Sequence, residues 1–151
     1  FLNPKSGRKS PEATQQCISI ICGFLNSIGG TLIIGVKGDP ITAKGKVVGI
    51  FDDDFTGAQT YIGSISQSLK KFIPVWSFKY LSMSIIKLRG SEDVCVIRVK
   101  PSNKPVFCKF RYENNERINE KTFFIRSSGI SIKLDEDKCW NYISEHFSQE
   151  N

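Results

Sequence analysis

The sequence is poor in the residues on which most enzyme active sites depend. Histidine occurs once, at His146, and no serine stands in a Gly-x-Ser-x-Gly pattern. The Gly-x-x-x-x-Gly-Lys-Ser/Thr phosphate loop and the Gly-x-Gly-x-x-Gly pattern are also missing. These absences argue against histidine-dependent catalysis and against ATP binding through a phosphate loop. We expect His146 to act as a helix-end cation. Carboxylates acting with a divalent metal are the remaining hydrolytic option.

Long apolar runs and paired cysteines are absent as well. No run of 18 or more apolar residues occurs, so the sequence predicts no membrane-spanning helix and no membrane partner. The first residues of the sequence do not show the basic-then-apolar pattern of a secretory leader. The cysteines are odd in number and include no Cys-x-x-Cys pair: Cys17, Cys22, Cys95, Cys108 and Cys139. We expect buried thiols of a reducing compartment, the cytoplasm or alternatively the nucleus, rather than a disulfide or zinc framework.

Length and charge set the class of protein. The 151 residues, 17.0 kDa, predict a single domain over residues 1–151, and Phe1 in place of Met suggests a fragment of a longer protein. Lys and Arg number 21 against 15 Asp and Glu, which gives a formal charge of +6. Such an excess is compatible with a polyanionic partner such as RNA, and equally with solubility alone.

The segment 23–36 organises the predicted fold. Ile18, Ile21, Cys22 and Leu25 recur at helical spacing, which predicts a helix over about 11–27 with one apolar face. Gly29 or Gly30 can adopt the left-handed conformation that ends a helix. The apolar run 31–36 then predicts a central strand covered on both faces. This segment is either an ordinary start of a mixed α/β domain or one wall of a nucleic-acid site.

The rest of the chain predicts an α+β fold, a mixed and mostly antiparallel sheet flanked by two to three helices. The predicted helices cover 55–72 and, capped by Asp135, 136–147. The buried side of the last helix is expected to hold Cys139, Trp140, Ile143 and Phe147. The acidic run 52–54 is interpreted as a helix N-terminal partner rather than a metal cluster. Predicted strands cover 47–50, 75–85, 94–100, 106–112 and 122–126.

Two predicted strands combine basic and aromatic residues. Alternation places Lys109 and Arg111 on one face of their strand and aromatic residues on the other, and Arg126 ends the next strand. Together the three could form a basic stripe that follows a nucleic-acid backbone. The alternative is that the aromatics lie in the core and the basic side chains lie in water.

Several segments, in the right order, resemble the AlbA-like (AlbA_2) domain of the Schlafen family. They are residues 22–36, 48–50, 94–102, 104–107 and 123–129. The Phe-Leu-Asn-Ser variant in the first is closest to Schlafen-like proteins. The resemblance implies a lobe that pairs with a second lobe around a positively charged cleft for structured RNA. Active members are metal-dependent endoribonucleases, some subunits combine into nucleases that trim small-RNA precursors, and other relatives are described as DNA-binding regulators.

The acidic trio that the resemblance implies is incomplete in this chain. The family pattern has two glutamates before the first helix and an aspartate after the Gly-Val strand. By spacing, Phe1 and Asn3 match the end of the glutamate motif, so both glutamates would precede the sequence. Asp39 stands one residue late, and Glu12 lies too far into the helix. Asp39 and Glu12 are therefore weak catalytic candidates, no metal ligands are assigned, and Mg²⁺ or Mn²⁺ would belong to an assembled nuclease.

The sequence thus predicts an RNA-binding, largely non-catalytic lobe or subunit of a composite endoribonuclease. Alternatives are a module that recruits another Schlafen-like chain or a second copy of itself, a DNA-binding regulatory domain, and a self-sufficient nuclease that uses Asp39 with upstream glutamates. The residues expected to contact RNA are basic: Arg8, Lys9, Lys37, Lys104, Lys109, Arg111 and Arg126.

Overall fold

The computed structural model describes residues 11–38, 45–50, 57–88, 92–109, 112–113, 116–117 and 121–148. In chain order the elements are α1 (Pro11–Leu25), β1 (Gly30–Ile34), β2 (Val36–Gly38), β3 (Gly45–Val47), α2 (Ala58–Leu69), a 3₁₀ helix (Val75–Tyr80), β4 (Leu81–Lys87), β5 (Asp93–Val99), β6 (Phe107–Lys109), β7 (Tyr112–Glu113), β8 (Glu116–Arg117), β9 (Lys121–Ser127), β10 (Ile130–Leu134) and α3 (Glu136–His146).

The strands of the described residues form two three-stranded sheets and two short ribbons. The first sheet has the order β1-β5-β4 and the second the order β10-β9-β6, while β2-β3 and β7-β8 are the ribbons. Every pair is antiparallel. The predicted α+β class with a mostly antiparallel arrangement is confirmed. No helix in this part of the chain is long and apolar enough to cross a membrane.

Helix α1 joins the two sheets. Its predicted apolar face is confirmed, because Ile18, Ile21, Cys22 and Leu25 are all fully buried. The helix contacts β1 and β5 of the first sheet and β6, β9 and β10 of the second. It ends at Leu25, and the turn is closed by the left-handed Gly29, whose N–H donates to the Phe24 carbonyl at 3.1 Å. The core is therefore continuous through α1.

The strand after this turn differs from its prediction in position. It was expected to be central and covered on both faces, but the middle strand of its sheet is β5. The side chains of β1 alternate between half-buried and exposed, with Thr31 and Ile33 outward. Gly35, at φ 101°, ends the strand and redirects the chain into the β2-β3 ribbon. The segment around residue 47 forms a hairpin, as predicted, but it pairs with β2 in this ribbon and not with β1.

The predicted strand from residue 75 is wrong over its first part. Residues Val75–Tyr80 form the 3₁₀ helix, and the strand begins only at Leu81. Ser77 explains the difference, since its N–H and hydroxyl both donate to the Pro74 carbonyl, at 3.0 and 2.6 Å. The alternating aromatic pattern therefore does not reflect an extended backbone. The strand β10 was not predicted and follows the turn at 127–129.

Helices α2 and α3 occur where the sequence predicts helices, and α3 confirms part of its predicted buried side. In α2, Ile65 and Leu69 are buried, while the acidic run 52–54 lies outside the described residues. In α3, Asp135 caps the helix by accepting from the Lys138 N–H at 3.0 Å. The expectation that Trp140 is buried is wrong, because its side chain is 61% exposed. Helical spacing from the buried Cys139 directs positions 142, 143 and 146 to one face, and Trp140 falls beside that face.

Candidate nucleic-acid interface

Two lysines stand directly opposite each other at one end of the second sheet. In the β6-β9 register Lys109 is paired with Lys121, and both side chains are exposed. Within the described part of the chain, neither ammonium group has a hydrogen-bond or ion-pair partner. Like charges directly opposite in an antiparallel pair are destabilising. This Lys109–Lys121 pair therefore concentrates positive charge that folding alone does not explain.

The β2-β3 ribbon repeats the arrangement. Lys37 is paired with Lys46, and both side chains are exposed. The neighbouring pair in the ribbon is Val36 with Val47. A second cross-strand lysine pair thus places two further positive charges on one short hairpin.

Arg126 does not join Lys109 in the predicted stripe. The register places Lys109 on the same sheet face as Lys121, and Arg126 on the opposite face. The Arg126 side chain is half-buried, donates to the Ser131 hydroxyl at 2.9 Å and lies 5.3 Å above the Phe24 ring. Its backbone N–H donates to the Ser27 hydroxyl at 2.9 Å. The structure thus gives Arg126 a role in fastening α1 to the second sheet.

The other basic candidates divide into described and undescribed positions. Lys104 is exposed in the loop after β5, where its N–H and carbonyl both bond the Ser102 hydroxyl. Arg8, Lys9 and Arg111 lie outside the described residues. Their contribution to RNA binding stays a prediction.

Of the two catalytic candidates, the structure describes only Glu12. Glu12 is exposed in the first turn of α1, and Asp39 lies outside the described residues. No group of three or more histidine, cysteine, aspartate or glutamate side chains that could hold a metal occurs where the structure is described. The residues present there do not fit a divalent-metal site.

The predicted burial of the cysteines is confirmed for four of the five. None forms a disulfide, and all except the half-buried Cys17 are buried. Burial raises the pKa of Cys95 to about 11. Burial, reinforced by the neighbouring Cys108, also raises the pKa of Cys22 well above its ordinary value. Protonated thiols are poor nucleophiles and poor metal ligands, so these side chains are packing residues.

A cavity of about 390 Å³ opens between the second sheet and the first turns of α3. Phe107, Phe123 and Leu134 form one row across β6, β9 and β10 and line it, with Lys121 beside them. The Phe107 and Phe123 rings lie 5.1 Å apart. Trp140 of α3 also lines the cavity, as do the charged residues Lys133, Asp135 and Glu136. An aromatic cavity thus lies next to the Lys109–Lys121 pair.

Sequence comparison identifies the family. The family model described as Schlafen, AlbA_2 matches residues 2–135. The chain belongs to the Schlafen AlbA_2 family. No curated protein matches this Schlafen AlbA_2 domain. Among solved structures it is similar to the DIP2311 protein from Corynebacterium diphtheriae, with a TM-score of 0.59 and 18% identity over 97% of the present chain. The match covers 24% of that protein, and at this identity it shows the fold alone.

Three residues of this candidate interface were not predicted as such from the sequence. Lys121 and Lys46 were not predicted, because only the strand register shows that each lies opposite another lysine. Trp140 was assigned to the core, although its offset from Cys139 could have indicated a side chain at the edge of the buried face.

The Lys109–Lys121 pair predicts a gain in stability from a substitution. Lys121→Glu replaces a like-charge pair by an opposite-charge pair, so we expect the free energy of unfolding to rise by about 0.2–1 kcal/mol at low salt. Urea denaturation measures it, with Lys100→Glu, at an exposed position outside the strands, as control. A loss of stability in Lys121→Glu would show that the two ammonium groups do not repel each other.

Proposed function

We propose that this Schlafen AlbA_2 domain binds RNA and serves as a largely non-catalytic lobe or subunit of a composite, metal-dependent endoribonuclease acting on tRNA-like or small-RNA precursors. The observation that carries the proposal is the Lys109–Lys121 pair beside an aromatic cavity. Family membership supplies the context of the fold, and the chain's formal charge of +6 favours a polyanionic partner.

Electrostatics explain why such a pair suits a phosphate chain. Two opposed ammonium groups repel each other in the free protein, and a phosphate placed between them relieves that repulsion. Binding also releases counterions condensed on the RNA, which favours association at low salt. Lys37 and Lys46 are a second pair of opposed lysines, on the β2-β3 ribbon.

The chemistry is assigned to groups outside the described part of this chain. The described residues contain no group of three or more histidine, cysteine, aspartate or glutamate side chains that could hold a metal. Under the proposal, the Mg²⁺ or Mn²⁺ of the assembled nuclease is held by carboxylates upstream or in a partner. Cleavage by an N-terminally extended chain that is lost on Asp39→Ala would assign the chemistry to this chain instead.

Reversing both charges of the pair tests RNA binding. Lys109→Glu with Lys121→Glu keeps two like charges opposed, so the fold loses little, but it should lower RNA affinity on the order of tenfold or more at low salt. The matched control is Lys70→Glu with Lys71→Glu, two exposed lysines after α2. Fluorescence anisotropy with a labelled RNA hairpin measures both, and duplex DNA as competitor separates RNA binding from the DNA-binding alternative. Equal losses in the two double variants would contradict a specific role for the pair.

An interaction module is the second candidate, and one surface feature favours it. Val75 and Trp76 are adjacent apolar residues at the start of the 3₁₀ helix and are 64% and 42% exposed. Such a patch suits contact with another Schlafen-like chain or a second copy. Size-exclusion chromatography of the wild type and of Trp76→Ala, alone and with a candidate partner, tests this role.

A further inference from the structure

The cavity beside the Lys109–Lys121 pair combines features that one kind of ligand would use together. Its volume of about 390 Å³ lies within the range of small-ligand sites. Its floor is the aromatic pair Phe107 and Phe123, and α3 contributes Trp140 to its lining. Lys109 and Lys121 stand in the next row of the same sheet face, roughly 7 Å along the strands.

Trp140 is unusual for a residue next to a core. Its indole is 61% exposed, although the neighbouring Cys139 is buried and lines the same cavity. Exposing a large aromatic ring costs free energy that burial would recover. An aromatic surface held on a helix at the wall of a cavity is suited to stacking against a flat ring brought by a ligand.

The charged residues around the cavity favour one orientation of a bound ligand. Four charged residues line the cavity, namely Lys121, Lys133, Asp135 and Glu136. Lys121 belongs to the Lys109–Lys121 pair, and Glu136 begins α3. Lys133 is paired with Phe124, so alternation places it on the opposite face of the sheet. The Asp135 carboxylate is held by Lys138, which donates to it at 2.7 Å. A phosphate is attracted to the lysine side and repelled from Glu136, while the Glu136 carboxylate can accept a hydrogen bond from an exocyclic amino group.

We propose that this cavity binds an unpaired nucleobase of the RNA, stacked on Trp140, while the adjoining phosphates lie against Lys109 and Lys121. The inference rests on the proposed RNA binding and adds that this surface selects single-stranded RNA. A base inside a duplex is stacked and paired, so it cannot present its face to a side chain. A base in a single strand or loop can do so.

The test separates base binding from phosphate binding. The probes are a labelled oligomer of about ten cytidylates, a base-free ribose-phosphate oligomer of equal charge, and an RNA duplex. Trp140→Ala should weaken binding of the cytidylate oligomer by about 5- to 150-fold. It should leave the affinities for the base-free oligomer and the duplex unchanged. Trp140→Phe, which keeps an aromatic face, should recover most of the loss.

The second tryptophan provides the control and an independent signal. The chain has two tryptophans, and Trp76 on the 3₁₀ helix is also exposed, so Trp76→Ala should leave RNA binding unchanged. In a Trp76→Phe variant the tryptophan fluorescence comes from Trp140 alone, and the cytidylate oligomer should quench it more strongly than the base-free oligomer does.

The outcomes distinguish this inference from the proposed function. If Trp140→Ala binds the cytidylate oligomer like the wild type while the Lys109/Lys121 double reversal binds weakly, the nucleobase site is refuted and phosphate binding stands. If neither variant alters RNA binding, both proposals fail. If Trp140→Ala leaves RNA affinity unchanged and instead abolishes self-association, the cavity is a protein interface, and the nucleobase site is again refuted.

Discussion

Replacing Asn26 with aspartate is expected to destabilise the domain by about 3–5 kcal/mol at neutral pH. Asn26 is fully buried in the turn that follows α1. Its carboxamide donates to the Val106 and Phe124 carbonyls, at 2.8 and 2.9 Å, and accepts from the Val106 N–H at 2.8 Å. Aspartate has nearly the same shape but would set a buried negative charge against two carbonyl oxygens.

The position of Asn26 explains why so much depends on it. The last β6-β9 pair is Phe107 with Phe123, and the Asn26 side chain bridges the next residues beyond it, Val106 and Phe124. Its own carbonyl accepts from the Tyr142 hydroxyl of α3 at 2.6 Å. The Asn26 side chain thus links β6 and β9 beyond their last pair, and the Asn26 backbone carbonyl holds α3 through Tyr142.

Denaturation measured as a function of pH identifies why Asn26→Asp loses stability. A carboxyl buried at this position has a raised pKa. When protonated it can replace only one of the two hydrogen bonds that the amide donates, so part of the cost persists, and the cost grows as the pH rises and the carboxyl ionises. The deficit of Asn26→Asp should therefore shrink between about pH 7 and pH 4. The control, Asn141→Asp on the exposed side of α3, should change stability by less than about 0.5 kcal/mol. A pH-independent deficit would contradict the buried-charge explanation.

Gly29→Ala is expected to cost about 3 kcal/mol or more. Gly29 has φ 79°, a left-handed conformation that itself costs a residue with a Cβ about 1–2 kcal/mol. A Cβ there would lie 2.6 Å from the Val99 carbonyl oxygen and 3.0 Å from the Pro101 side chain. Because the closest atom belongs to the backbone of β5, it cannot move aside without disturbing the β1-β5 pairing.

Gly63 supplies a control of opposite sign. It lies within α2, it is exposed, and a Cβ added there meets nothing within 4 Å. Gly63→Ala should therefore stabilise the domain by about 0.5–1 kcal/mol through helix propensity. Thermal or urea denaturation of both variants measures the difference. Similar changes in the two would show that the turn after α1 does not need its glycine.

These two expectations give a physical meaning to the residues that carry the family resemblance. In the Phe-Leu-Asn-Ser-Ile-Gly-Gly segment, Asn26 bridges α1 to β9, Ser27 accepts from the Arg126 N–H, and Gly29 closes the helix. All three act on the packing of α1 against the sheets. This segment is thus a structural junction between α1 and the sheets, whereas the lysine pairs and the cavity lie on other elements.

The sequence predicted the elements whose pattern is local. The buried face of α1 and the Asp135 cap of α3 follow from helical spacing and from capping chemistry within a few residues. The 3₁₀ helix at Val75–Tyr80 was mistaken for a strand because the bonds from Ser77 to Pro74 override an alternating pattern. A local pattern does not show which backbone conformation the hydrogen bonds favour.

The candidate site was less predictable because it depends on pairing between distant segments. Lys109 was expected to face RNA, but its partner Lys121 is recognisable only from the β6-β9 register. Arg126 was grouped with it, yet alternation along β9 sets it on the opposite face. The excess of basic residues is evident from the composition, whereas the positions of these residues relative to one another are known only from the fold.

The salt dependence of RNA binding tests the central claim most directly. If Lys109 and Lys121 each contact one phosphate of a single strand, the slope of log K against log salt should be about 1.4 shallower in the double reversal than in the wild type. The Lys70/Lys71 reversal should keep the wild-type slope. Titrations of a single-stranded RNA between about 50 and 200 mM salt measure it. Equal slopes in all three proteins would contradict phosphate contact at the Lys109–Lys121 pair.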